Sequence, residues 1–130
     1  MPKPVEELRK VVNVYEAEFE PYGLQGVEQT ELKWVNISYD EKTGQGCFLI
    51  RFEPGARSIA HEHTGFEEFL ILEGDLVDSD GREYKPGDFV SFKPGSKHSS
   101  VSRTGMLAAV ILREGSGNRT LGPDEEINIR

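Results

Sequence analysis

From Asp40 onward, turn-forming residues break the chain roughly every ten residues or fewer, leaving no room for a packed helix between them. The breaks are Asp40-Glu41-Lys42-Thr43-Gly44, Pro54-Gly55, Thr64-Gly65, Glu73-Gly74, Asp78-Ser79-Asp80-Gly81 and Lys85-Pro86-Gly87-Asp88. Between them lie short β-rich runs: Leu32 to Tyr39, Cys47 to Glu53, Glu67 to Leu72, Phe89 to Phe92, Ser99 to Arg103 and Leu107 to Arg113. In the second run Phe48, Ile50 and Phe52 alternate with Arg51 and Glu53, the period of a strand with one buried face. Many short strands joined by tight turns read as a sandwich or barrel and exclude strand–helix–strand units.

The two ends read differently. Pro4 with Glu6-Glu7 suits a first helical turn, and Val5, Leu8, Val12 and Tyr15 share a helical face. Val11 to Tyr15 reads equally well as a strand, so a short helix running into a strand is expected. Residues 1–27 are therefore assigned to an N-terminal arm in contact with a second subunit, 28–114 to the barrel, and 115–130 to a polar tail.

With 130 residues the chain makes one domain with a core of its own. The single cysteine, Cys47, rules out an internal disulfide and any zinc site of paired cysteines. A net charge of −8 with scattered Lys and Arg argues against nucleic acid or an anionic membrane as partner. No apolar run approaches membrane-spanning length and no signal-like segment opens the chain, so a cytoplasmic location is expected.

All three histidines, His61, His63 and His98, fall in one metal-ligand pattern with Glu67. Two histidines one residue apart on a strand point to the same face, roughly 6.6 Å apart along it. A carboxylate four residues later joins them if the chain turns at Thr64-Gly65, with Gly65 free to take a positive φ. Neutral imidazole suits zinc, copper, iron and nickel. A lone H-x-H is common by chance, but this pattern uses every histidine in the protein.

Gly55 to Gly74 follows G-x5-H-x-H-x3-E-x6-G at each defined position, and Gly87, Gly95 and His98 follow a second pattern, G-x5-P-x-G-x2-H-x3-N. In the latter, Lys93 replaces the proline, with Pro94 one residue on, and Ser102 replaces the asparagine. The chain thus resembles the cupin superfamily over roughly residues 30–113. Gly65-x-Glu67-Glu68, Leu70 to Gly74, Asp80-Gly81, Tyr84 and Pro94-Gly95-Ser96-x-His98 resemble its ChrR-type branch, which includes the cupin half of a zinc anti-sigma factor and the dihydroxyacetophenone-type dioxygenases. The resemblance implies an all-β double-stranded β-helix, or jelly-roll barrel, with a short N-terminal arm. It also implies that His61, His63, Glu67 and His98 are four ligands of one divalent ion inside the barrel and, through it, the catalytic residues. Fe(II) or Zn is favoured, and Ni or Mn also fits.

The expected function is a non-heme, metal-dependent dioxygenase-like enzyme acting on a small diketone or hydroxyketone, aromatic ones included. The alternatives are a non-catalytic metal cupin serving as a sensor or ligand-binding module, and a structural barrel with a vestigial site. The expected partners are a small molecule and a second copy of the chain. Of the remaining residues, Glu68 faces away from Glu67, and Phe69, Ile71 and Phe92 read as core rather than pocket lining. Ser100 and Ser102 share parity with His98 and face the cavity. Arg51 and Arg103 read as surface residues before carboxylate binders, and Trp34 as core or subunit contact.

Overall fold

The computed structural model describes residues 2–23, 29–114 and 118–127. One helical turn, α1 (Val5–Leu8), is followed by twelve strands in the described chain. They are β1 (Glu20–Tyr22), β2 (Gln29–Asn36), β3 (Gly46–Phe52), β4 (His61–His63), β5 (Phe66–Gly74) and β6 (Leu76–Asp78). Then come β7 (Glu83–Tyr84), β8 (Phe89–Phe92), β9 (Lys97–His98), β10 (Ser100–Val101), β11 (Met106–Arg113) and β12 (Asn118–Thr120). Among these residues no helix is long and apolar enough to cross a membrane.

Every pairing is antiparallel. Six strands form one large sheet in the order β1-β2-β3-β11-β5-β8, and two three-stranded sheets, β10-β6-β7 and β12-β4-β9, complete the architecture. The expected all-β barrel is the fold observed. The arm differs in detail: its helix is the single turn Val5–Leu8, Val11–Tyr15 forms no strand, and the arm's strand is β1. The polar C-terminal stretch contributes β12, paired along β4.

Alternation decides what each strand buries. In β3, Phe48, Ile50 and Phe52 join the core, and in β5 the buried positions are Glu67, Phe69 and Ile71. Leu32 on β2 and Met106, Ala108, Val110 and Leu112 on β11 extend the same inner face of the large sheet. Each large apolar side chain so buried contributes about 1.5–3 kcal/mol. Tyr22, Trp34, Tyr39 and Phe48 pack at centroid separations of 5.6 to 6.4 Å, with mostly edge-on contacts.

Besides the pairing of β1 with β2, two described side-chain contacts tie the N-terminal arm to the large sheet. Arg51 sits over the Phe19 ring at 4.6 Å, and Lys10 Nζ donates to the Asn36 carbonyl at 3.0 Å. Arg103 is engaged by the chain's own Asp75 and Glu83. Glu68 points outward onto Arg113 and Ser91, as its parity requires.

Gly65 serves a purpose other than the one its turn position suggests. Its φ is not positive; instead a Cβ there would lie 1.9 Å from the Glu114 carbonyl oxygen. Close backbone approach, rather than a left-handed turn, makes glycine necessary at the start of β5.

Candidate metal centre

Antiparallel register brings the histidines together. His61 and His63 alternate inward on β4, and His98 on β9 lies directly opposite His61. The turn before β9 is stitched to β4, with His63 N donating to the Ser96 carbonyl at 2.9 Å and Gly95 N to the His63 carbonyl at 2.8 Å. All three imidazoles are buried. His63 Nε2 lies 3.0 Å from His61 Nε2 and 3.1 Å from His98 Nε2. Glu67, inward on β5, stands at the margin of this group with Oε2 3.4 Å from His63 Nε2.

The outer ring nitrogens settle the protons. His61 Nδ1 lies 2.6 Å from the Ile59 carbonyl, which only accepts, so Nδ1 carries the hydrogen and Nε2 is a bare lone pair. His98 Nδ1 donates to Asp78 Oδ1 at 2.7 Å, which turns its Nε2 toward the other two rings. Asp78 is held in turn by the Tyr84 hydroxyl at 2.7 Å and the Ser79 amide at 2.8 Å. Two ring nitrogens thus converge on one His63 nitrogen, which can donate to only one of them. His63 Nδ1 is itself buried without a partner. Three buried nitrogens short of protons are what a cation satisfies, so the residues fit a metal ion.

Burial, opposed only in part by the charge of Glu67, depresses the His63 pKa to about 4 and lowers that of His61. Below about pH 6.5 the unfolded chain takes up these protons and the folded one does not. The metal-free protein should therefore lose stability as pH falls from about 6.5 toward 4, by roughly 3 kcal/mol for His63 alone. Urea unfolding across that range checks the slope; a flat profile would contradict the burial of neutral imidazoles.

A cavity of about 60 Å³ opens beside the cluster. His61, Glu67 and His98 form part of its wall, Tyr22, Ser58 and Ser100 add hydroxyls, and Phe48, Phe52, Phe69 and Met106 are among its apolar lining. Phe69 therefore lines the pocket as well as the core. Phe92 packs on the rings of His63 and His98 at 5.0 and 4.4 Å. Ser102 faces elsewhere, onto Asp75 and the Gly105 amide. The residue missed from sequence is Asp78, read there only as part of a turn. Its signal was parity, since Leu76-Val77-Asp78 puts the acid on the same buried face as Leu76.

Residues 8–114 match the family described as the ChrR Cupin-like domain. No curated protein sequence matches the chain. Among solved structures, an acetylacetone dioxygenase from Acinetobacter johnsonii superposes with a TM-score of 0.73 at 11% identity, over 92% of this chain and 82% of that one. The polyketide cyclase RemF from Streptomyces resistomycificus gives 0.65 at 20%, over 90% and 88%. The complex of Rhodobacter sphaeroides SigE with the anti-sigma ChrR gives 0.61 at 14%, over 78% of this chain and 52% of that one. At these identities the likeness is one of fold.

Proposed function

Because the chain belongs to the ChrR cupin-like family, we propose that it is a metal-dependent enzyme of dioxygenase type acting on a small diketone or hydroxyketone. The observation that carries this reading is the convergence of three buried imidazoles, two of them proton-locked at the far nitrogen, with His61 and His98 on the wall of a largely apolar cavity. His61, His63 and His98 would hold the ion and Glu67 would be the fourth ligand, leaving a divalent ion a net charge of +1. Iron held there would supply redox chemistry and Lewis acidity, whereas zinc would supply Lewis acidity alone. Three imidazoles and a carboxylate would suit Fe(II) or zinc, and would also accept nickel or manganese.

The chain's own part is to bind, orient and desolvate. Asp78 and the Ile59 carbonyl fix two imidazole orientations. Phe48, Phe52, Phe69 and Met106 exclude water from the ligand's body.

Protein purified without added metal should carry a divalent ion by elemental analysis. Reconstituted with Fe(II), it should consume dioxygen with small diketones or hydroxyketones. Iron-loaded protein that consumes none, yet whose zinc form is thermally stabilised by those compounds, would support the sensor reading instead; the similarity to the anti-sigma structure favours that second possibility. Failure to hold any metal would remove both.

A further inference from the structure

We propose that Tyr22, delivered from the N-terminal arm, is the hydrogen-bond donor that recognises an oxygen of the ligand held beside the histidine cluster. This rests on the reading of the site given above and names a recognition element within it. Tyr22 ends β1, the edge strand of the large sheet. The β1–β2 register breaks between Pro21 and Tyr22, the kind of irregularity that re-aims a side chain. The ring packs edge-on to Trp34 and tilted against Phe48, both at 6.0 Å, and only 5% of the residue is exposed. It lines the same cavity as His61, Glu67 and His98.

Among the described residues no hydrogen bond satisfies the Tyr22 hydroxyl. Buried tyrosine hydroxyls ordinarily find a partner, and leaving one unmade costs stability. Here the available partner is whatever occupies the cavity. Burial first, and then the charge of Glu67, push the hydroxyl's pKa above its ordinary value, so it stays protonated and able to donate. The remaining lining is mostly apolar, apart from Ser58 and Ser100, whose hydroxyls already lie 3.1 Å from each other. The ligand class is a compact molecule with two oxygens, one directed at the histidines and one accepting from Tyr22.

The test compares wild type and Tyr22→Phe, full chain and zinc-loaded, by calorimetric titration at neutral pH. Acetylacetone is the two-oxygen probe, and azide is the probe that reaches only the metal. Removing the hydroxyl should weaken acetylacetone binding roughly tenfold to a hundredfold and leave azide affinity unchanged. The variant's metal-free unfolding temperature should match that of wild type, because the hydroxyl makes no hydrogen bond among the described residues; a merely structural hydroxyl would lower it. Equal acetylacetone affinity in the two proteins, or loss of both affinities together, overturns the assignment of Tyr22 alone. Wild type that binds azide but not acetylacetone overturns the reading of the site, and the assignment with it.

Discussion

His63→Ala should weaken metal binding several hundredfold while leaving the barrel folded. His63 Nε2 lies 3.0 and 3.1 Å from the other two imidazoles, and the residue is 1% exposed. A four-ligand zinc site is worth about 10–16 kcal/mol, so one ligand accounts for about 3–4 kcal/mol, and every 1.4 kcal/mol is about tenfold. Competition against a chelator of known affinity measures the loss. In the metal-free state the same variant should also lose most of the stability slope between about pH 6.5 and 4, because the imidazole lowered to about 4 is the one removed. Stoichiometric metal at an affinity within tenfold of wild type would mean that the histidines converge for some other reason.

Gly74→Ala should destabilise the fold by more than about 3 kcal/mol, a large share of the roughly 5–15 kcal/mol that holds a domain together. Gly74 closes β5 with φ of +80°, and a Cβ there would lie 1.8 Å from the Gly105 carbonyl oxygen. The left-handed conformation alone costs a side chain about 1–2 kcal/mol. The collision adds to this, because the obstacle is backbone and the β5–β11 register must move with it. Gly81→Ala separates the two effects: its φ is +91° with nothing within 4 Å of the added carbon, so it should cost about 1–2 kcal/mol. Denaturant unfolding of both variants reads the difference. Equal losses would show that the close approach at Gly74 relaxes freely.

Much of this architecture was legible in the amino-acid order because strand period and turn chemistry agree locally. Phe48, Ile50 and Phe52 announce their inward face by alternation, and the Asp40–Gly44 turn closes by a hydrogen bond from Gly44 N to the Asp40 carbonyl, at 2.8 Å. The H-x-H spacing foretold two imidazoles on one face. That His98 lies opposite His61 is long-range register, which no local pattern encodes. Asp78 was hidden for a related reason: its partner is twenty positions away, and an acid beside a glycine turn ordinarily means solvent. Tyr22 was invisible because β1 follows no clear alternation and its side chain is aimed by an irregular register. Gly65 looked like a turn residue, since the approach of Glu114 belongs to the folded chain alone.

The strand that carries His61 and His63 has neighbours on both sides, β9 on one and β12 on the other. Arg119 fastens β12 to Glu62, between the two histidines, at 2.7 Å, and to Glu125 at 2.7 Å. An ion arriving at such a strand meets ligands whose backbone is already ordered, and spends little of its binding free energy on freezing the chain. Discrimination among metals then falls to the shape of a preorganised socket. Residues some twenty positions beyond the last histidine would thereby influence metal affinity without touching the ion.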